Sequence, residues 1–222
     1  PNVVVLPKSL DEKIAFRMAH LTSYQGKRLA KRYAKLLGRI PDEAVKAAVA
    51  NGYHKVLSYK DEYEVSRLHS DPAFRAQIAE QFEGDYTLRF HMAPPVLSRI
   101  NPATGRPVKK EFGQWMLSAM GLLKHGKRLR GTMLDPFGRT DERRSERALI
   151  DQYEDLIDEV LNQMKLDNFD TAVELAEVPL SIRGYGPVKE NNIKQANLLK
   201  AELLARLRGQ VLEPVVAIRP AS

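Results

Sequence analysis

The sequence predicts a mainly α-helical fold, with seven or eight helices in an irregular bundle and a small β element near residues 85–110. Three observations lead to this prediction. Apolar residues recur at three- and four-residue spacing along most of the 222 residues. Residues that start and stop helices bound these stretches. Prolines and glycines concentrate between residues 84 and 107, where the helical spacing is interrupted.

The first two helices are predicted by a start signal and by a change in surface chemistry. Ser9 and Glu12 have the spacing of a capping box, and Ile14, Met18 and Leu21 follow at helical spacing. The second helix directs an apolar stripe inward and surrounds it with basic residues: Lys27, Arg28, Lys31, Arg32, Lys35 and Arg39.

A single long helical pattern extends from Asp42 to about His69, with Gly52 as its candidate break. Asp71 and Pro72 then restart the chain, because aspartate suits a helix N-cap and proline the first helical position. The expected buried stripe of this next helix is Phe74, Ile78 and Phe82.

The β element is predicted from the alternation between Tyr86 and His91, followed by prolines that enforce loops. Helical spacing returns from Trp115 to Leu123 and stops in the basic stretch 124–130. The segment 135–138 is typical of a turn. A long helix capped by Thr140 follows, and two further helices are expected at about 170–177 and 188–207.

Composition excludes several function classes and gives no sign of an internal boundary, so residues 1–222 are predicted to form a single domain. The absence of cysteine excludes disulfides, thiolate catalysis and cysteine-ligated zinc or iron–sulfur clusters within this chain. No apolar run approaches the roughly 18 residues that span a bilayer, so a soluble cytoplasmic protein without a membrane partner is expected. The start at Pro1 predicts an excised fragment of a larger protein.

The familiar catalytic and cofactor-binding motifs are missing from the sequence. It has no phosphate-binding glycine loop, no nucleophile elbow and no metalloprotease pattern, and its five histidines are scattered. We therefore assign no catalytic, cofactor-binding or metal-binding residue, and the fragment alone is not expected to be an enzyme.

Two polar segments, residues 55–67 and residues 82–95, are candidate contact sites. On a helix, Lys60 would lie one turn from Glu64, and Lys60 and Arg67 could donate hydrogen bonds to an anionic ligand or a partner domain. A solvated or salt-bridged helix face is the favoured alternative.

The second segment places Asp85, Arg89 and His91 close together on a loop and a strand. A histidine beside an arginine could serve acid–base chemistry or anion binding, as in a stand-alone hydrolase or lyase. Since no nucleophile accompanies them, a structural network of these three residues is the favoured interpretation.

The charge of the chain raises the question of a nucleic-acid partner. The net charge is +7, and the stretch 124–130, with Arg106, Lys109 and Lys110 upstream, is the best electrostatic candidate. The 28 acidic residues are interspersed, and no exposed aromatics accompany the basic ones. A basic helical module that binds nucleic acid or protein is therefore the alternative function, and nucleic acid is the less favoured partner.

Five segments in order carry the pattern of a known family: residues 57–67, 82–95, 101–107, 135–138 and 182–190. Together they resemble the C-terminal region of fused-chain indolepyruvate ferredoxin oxidoreductases. The resemblance extends from about Ser9 to Leu207.

Proteins of that family are similar to 2-oxoacid:ferredoxin oxidoreductases, which decarboxylate an aryl pyruvate, reduce ferredoxin and form an acyl-CoA. The resemblance implies that this chain is an accessory, non-catalytic C-terminal domain. It implies a parent polypeptide with thiamine diphosphate, magnesium, 4Fe-4S clusters and CoA as co-substrate. The implied partners are the catalytic domains of that polypeptide, with ferredoxin or CoA at the basic surface. No catalytic residue of the family maps onto a position of this chain.

Overall fold

The computed structural model describes residues 9–84, 86–93, 98, 99, 101, 102 and 108–210. These residues form nine α-helices and two short strands, which confirms the predicted mainly α fold with a small β element. The elements are α1 Leu10–Tyr24, α2 Lys27–Leu37, α3 Glu43–Leu57, α4 Glu62–His69, α5 Pro72–Gln81, β1 Phe90–Met92, β2 Lys110–Phe112, α6 Trp115–Leu123, α7 Asp141–Gln163, α8 Phe169–Glu177 and α9 Pro187–Leu207. Three 3-10 helices add to them: Lys124–Leu129, Leu166–Asn168 and Val178–Ser181.

The chain divides into two compact units. The first unit contains Pro1–Lys35 and Val56–Asp151, and the second contains Leu36–Lys55 and Gln152–Ser222. The junctions between them fall inside α2, α3 and α7. Because no loop, proline or glycine cluster marks these junctions, the sequence shows no boundary there.

The first unit begins as its start signal predicts. The Ser9 hydroxyl accepts a hydrogen bond from the backbone N–H of Glu12, and the Glu12 carboxylate accepts one from the N–H of Ser9. In the same unit α4 packs against α6 and against the 3-10 helix 124–129. Leu21 and Tyr24 of α1 and Tyr63 of α4 are among its most deeply buried side chains.

The single helix predicted over residues 42–69 is in fact two helices, separated at residues 58–61. Asp61 makes the break, because its side chain accepts a hydrogen bond from the N–H of Glu64 and so starts α4. Gly52, the predicted break, lies inside α3. A Cβ atom there would stand 2.2 Å from the carbonyl oxygen of Ala176 and 2.5 Å from the Tyr153 hydroxyl, so this glycine serves close packing within the second unit.

The buried stripe predicted for α5 is only partly covered. None of the residues of α5 is buried, and Phe82, which caps its C-terminal end, is 57% exposed. Phe74 is half-buried and meets the ring of His69 edge-on, 5.3 Å away. Among the described residues, the apolar side chains of Phe74, Ile78 and Phe82 therefore do not form a closed core for this helix.

The β element is an antiparallel pair that aligns Phe90 with Phe112, His91 with Glu111 and Met92 with Lys110. Phe90 is buried against Met116 and Met120 of α6. This small apolar cluster holds the hairpin in the first unit.

The core of the second unit is built around two stacked tyrosines. The rings of Tyr53 and Tyr153 lie 5.8 Å apart, and the Tyr153 hydroxyl donates to the carbonyl oxygen of Ala176 at 2.7 Å. The Asn168 amide donates to the carbonyl oxygens of Gln163 and Leu207, which joins the ends of α7 and α9. None of the helices among the described residues combines the length and the apolar content needed to cross a lipid bilayer.

Candidate functional site

A heavily connected polar group of the first unit is the ion pair of Arg130 and Asp61. Arg130 Nε lies 2.5 Å from Asp61 Oδ2 and Nη2 lies 2.8 Å from Oδ1, with side chains only 2% and 3% exposed. The guanidinium carbon lies 3.7 Å from the centre of the Tyr24 ring, a cation–π contact. Burial acts to lower the pKa of Arg130, but the hydrogen bonds to Asp61 and the charge interactions with Tyr24, Asp61 and Tyr59 together outweigh it, and the pKa is raised. Arg130 is therefore a buried cation that the Asp61 side chain holds in place.

Local structure brings the two partners together. Asp61 is fixed because it caps α4, while Arg130 immediately follows the 3-10 helix 124–129. Tyr24 is held by its hydroxyl, which donates to the carbonyl oxygen of Tyr59 at 2.7 Å. Burial raises the pKa of Tyr24 well above its usual value, which keeps this phenol a neutral donor.

The basic stretch 124–130 also completes the C-terminal end of α1. This helix has no basic residue in its last turn, and its final carbonyl oxygens need donors. Lys127 Nζ donates to the carbonyl oxygen of Ser23 at 2.5 Å, and Arg130 Nη1 donates to that of Tyr24 at 3.0 Å. Two cations of the stretch thus have structural partners inside the unit.

A second buried link joins Tyr63 of α4 to Asp135 of the predicted turn. The Tyr63 hydroxyl donates to Asp135 Oδ1 at 3.1 Å, and the Asp135 carboxylate also accepts from the N–H groups of Gly131 and Phe137. Burial, and then the Asp135 carboxylate, raise the pKa of Tyr63. The predicted turn at 135–138 is present, and it is fastened to α4.

Two glycines leave the space that the side chains of Tyr63 and Asp135 occupy. A Cβ atom at Gly126 would lie 2.6 Å from the Tyr63 ring, and one at Gly138 would lie 2.6 Å from the Asp135 carboxylate. The Tyr63 ring also packs against Phe137, whose ring meets it edge-on at 5.4 Å. Neither glycine can gain a side chain without displacing a buried group.

Arg143 of α7 forms a third charged group in this region. It lies 3.2 Å from Glu62 and 2.5 Å from Glu146, and its side chain is 11% exposed. Burial acts against its charge, but the two carboxylates raise its pKa. We refer to Tyr24, Asp61, Tyr63, Arg130, Asp135 and Arg143, with their partners, as the arginine–tyrosine cluster.

The candidate residues of the segment 55–67 lie at the edge of this cluster. Arg67 holds Glu64 through two hydrogen bonds of 2.7 and 2.8 Å, and His20 Nε2 lies 3.8 Å from the same carboxylate. Although burial would raise the pKa of Glu64, Arg67 and His20 lower it to about 2. Lys60 is exposed and precedes α4, so it does not lie one helical turn from Glu64 as expected.

The other candidate group meets a partner that the sequence did not indicate. Arg89 Nη1 lies 2.7 Å from Glu111 Oε1, and His91 Nε2 lies 3.9 Å from Glu111 Oε2. All three side chains are largely exposed on the hairpin. Asp85 lies outside the described residues, as do residues 94–97 and 103–107 of the neighbouring segments.

A cleft of about 400 Å³ lies apart from the cluster, between α5 and α6. Arg75 and Ile78 line one side, and Trp115 and Leu117 the other. Trp115 is the single tryptophan of the chain and is 62% exposed. The cleft is thus an open, partly aromatic depression in the first unit.

Sequence reasoning missed most of the arginine–tyrosine cluster. Asp61 carried a usable signal, since an aspartate three residues before a glutamate resembles a helix start. Arg130 and Asp135 carried none that connects them to α4, because they lie 69 and 72 residues away from their partners.

The arginine–tyrosine cluster pairs Arg130 and Arg143 with carboxylates, and it holds backbone segments through hydrogen bonds. Among the buried side-chain nitrogen and oxygen atoms that the structure describes, Ser98 Oγ and Arg147 Nη1 have no hydrogen-bond partner. The described residues contain no group of three or more histidines and carboxylates that could hold a metal ion. What the cluster does in this geometry is fasten α1, α4 and the turn 131–138 to each other.

A family model places the chain among known sequences. The model describes the family of unknown function DUF6537, and it matches residues 10–202. The chain belongs to this family. The DUF6537 match includes the whole arginine–tyrosine cluster and the Arg89–Glu111 hairpin. No curated protein and no solved structure matches the chain.

Proposed function

We propose that this chain is the accessory, non-catalytic C-terminal domain of an oxidoreductase that resembles indolepyruvate ferredoxin oxidoreductase. Its parent polypeptide would oxidatively decarboxylate aryl pyruvates to acyl-CoA, with thiamine diphosphate as cofactor and ferredoxin as electron acceptor. In this proposal the chain packs on the catalytic domains and supports their assembly in the cytoplasm.

One observation carries the proposal. Two of the five segments on which the resemblance rests, 57–67 and 135–138, meet in the arginine–tyrosine cluster through the hydrogen bond of Tyr63 and Asp135. Asp61, Glu64 and Arg67 of the first segment are likewise engaged in ion pairs within the fold. We expect a supporting domain to use the charged residues of its characteristic segments for internal ion pairs of this kind.

The cofactors of the parent reaction do not fit the residues of this chain. An iron–sulfur cluster needs thiolate ligands, and the chain has no cysteine. The described residues offer no group of metal donors for the magnesium that accompanies thiamine diphosphate. The proposal therefore assigns thiamine diphosphate, magnesium and the 4Fe-4S clusters to other regions of the parent polypeptide.

Two measurements test the proposal. The coding sequence that precedes residue 1 should contain a thiamine-diphosphate-binding region and cluster cysteines. The full polypeptide, and a version that ends before residue 9, should then be compared for assembly and for aryl-pyruvate- and CoA-dependent reduction of ferredoxin. We expect the shortened protein to lose assembly and activity, and an unchanged protein would refute an accessory role.

The exposed surface of α2 favours a second candidate function, the binding of an anionic partner. Residues 27–37 contain no acidic residue, and Lys27, Lys31 and Lys35 lie one turn apart on the exposed side. Like charges at this spacing destabilise a helix, and cations at its start oppose the helix dipole. Because the row includes no exposed aromatic for base stacking, an acidic protein such as ferredoxin, or the phosphates of CoA, suits it better than nucleic acid.

Calorimetric titration at two salt concentrations distinguishes these partners. The chain would be titrated with reduced ferredoxin, with CoA and with a short DNA duplex. A Lys31→Glu/Lys35→Glu variant should abolish salt-dependent binding, whereas Lys194→Glu, which changes an exposed lysine of α9, should not. Binding of the duplex alone would favour the nucleic-acid module, and the absence of heat with all three would remove this second function.

A further inference from the structure

The turn that follows Arg130 exposes two large apolar side chains. Met133 is 90% exposed and Leu134 is 75% exposed, and they are neighbours in the chain. Exposed turns are usually built from small and polar residues, so an adjacent methionine and leucine in water require a reason.

The backbone around these two side chains is held from both sides. Before them, the Thr132 N–H and hydroxyl both donate to the carbonyl oxygen of Leu129, at 2.9 and 2.7 Å. After them, the Asp135 N–H donates to the carbonyl oxygen of Thr132 at 3.1 Å, and Arg139 Nη2 donates to that of Met133 at 3.3 Å. The turn is thus well ordered although its apolar tips touch water.

The order of the turn originates in the arginine–tyrosine cluster. Gly131, which has a positive φ of 74°, and Phe137 donate their N–H groups to the Asp135 carboxylate, and Asp135 is fixed by the buried Tyr63 hydroxyl. Fixing a loop before it binds removes an entropic cost from the binding step. A preorganised turn with two adjacent exposed apolar side chains is therefore suited to dock into an apolar pocket at a low ordering cost.

The size of the patch restricts what can cover it. A stable interface between free proteins takes roughly 20–30 residues a side, far more than two adjacent side chains provide. A partner within the same polypeptide needs much less contact, because tethering supplies an effective concentration on the order of millimolar. The exposed Arg128 and Arg139 beside the turn favour carboxylates at the rim of the partner pocket.

We propose that Met133 and Leu134 dock into an apolar pocket, rimmed by carboxylates, on the catalytic region of the parent polypeptide. This inference rests on the proposed accessory function and names the surface through which it acts. The arginine–tyrosine cluster then has a functional consequence, since it holds the docking turn in its bound conformation.

Photo-crosslinking in the full polypeptide tests the docking directly. A benzoylphenylalanine at position 133 should crosslink to a peptide that precedes residue 1, whereas the same group at Lys194 should give no crosslink to that peptide. Crosslinks from position 133 only to this chain, or only to a second copy, would overturn the inference.

A Met133→Asp/Leu134→Asp variant provides the second measurement. Because both side chains are exposed, the melting temperature of the 222-residue chain should not fall. In the full polypeptide, the variant should exchange the amide protons of residues 131–134 at least about tenfold faster than the wild type. A tenfold change corresponds to the loss of 1.4 kcal/mol of docking free energy. Unchanged exchange overturns the docking, while the proposed function is judged separately by the effect of removing the whole chain on ferredoxin reduction.

Discussion

Arg130 and Asp61 form a two-pronged ion pair between positions 69 residues apart, and both side chains are almost completely removed from water. Removing one partner of such a pair leaves the other charge buried without compensation. We expect Arg130→Met to lower the free energy of unfolding by about 3–5 kcal/mol. Urea unfolding followed by far-UV circular dichroism measures this change.

The exposed pair of Arg144 and Asp141 supplies the matched control, since Arg144→Met should cost about 1 kcal/mol or less. The double variant Arg130→Met/Asp61→Asn should recover part of the loss, because asparagine still caps α4 and no buried charge remains unpaired. Equal costs for Arg130→Met and Arg144→Met would contradict a stabilising role for the buried pair.

The contact of Gly126 with Tyr63 predicts a cost for the smallest possible side chain. A Cβ atom would stand 2.6 Å from the buried Tyr63 ring, which also packs against Phe137, so Gly126→Ala should destabilise by about 1–3 kcal/mol. Gly121→Ala is the control, because in the described part of the chain no atom beyond its chain neighbours and its own helix backbone lies within 4 Å of its Cβ position on α6. Alanine there should be neutral or stabilising by up to about 1 kcal/mol. Thermal unfolding of the two variants compares them, and a tolerated Gly126→Ala would mean that the ring can move.

Local signals were enough to predict most helices, and long-range contacts decided the rest. The capping box of Ser9 and the Asp71-Pro72 start were visible in the sequence because a helix start is a matter of neighbouring residues. The break at 58–61 was missed because apolar spacing continues through it, while Asp61 turns away to cap α4 and meet Arg130. Gly52 is wrongly predicted as the break because a glycine within a helical pattern resembles an interruption. The structure shows that a glycine is needed there because the distant Ala176 packs against it.

The candidate site was predictable only as segments. The stretch 55–67 does contain Asp61, Tyr63, Glu64 and Arg67, but its partners Arg130 and Asp135 come from stretches that were interpreted as a basic run and a turn. The partner of Arg89 and His91 depends on the strand register that places Glu111 opposite His91. Such a register has no signature in the residues of one strand.

Glu64 makes stability depend on pH in a defined window. Its pKa falls from 4.5 in the unfolded chain to about 2 in the folded one, although burial opposes the shift, because Arg67 and His20 stabilise the carboxylate. A lowered pKa contributes stability that is fully present above pH 4.5 and is lost as the pH falls towards 2. At neutral pH the contribution is roughly 3 kcal/mol as an upper limit.

The comparison of wild type with Glu64→Gln should follow this window. The difference in the free energy of unfolding should be constant above pH 5 and should shrink steadily below about 4.5. Arg67→Gln should weaken the pH dependence in the same range, because it removes the stronger stabilising partner. A difference that stays the same down to pH 3 would show that the carboxylate gains nothing from Arg67.

The hydroxyl of Tyr63 should control the order of the turn at residues 131–137. Tyr63→Phe keeps the ring beside Gly126 but removes one donor to Asp135, at a cost of about 1–3 kcal/mol for the lost hydrogen bond to a buried carboxylate. Because Asp135 holds the N–H groups of Gly131 and Phe137, amide exchange should accelerate most at these two positions. Tyr153→Phe removes a buried tyrosine hydroxyl of the second unit and should leave their exchange unchanged. If both variants accelerated exchange equally, the turn would depend on global stability, and the cluster would not act as its local anchor.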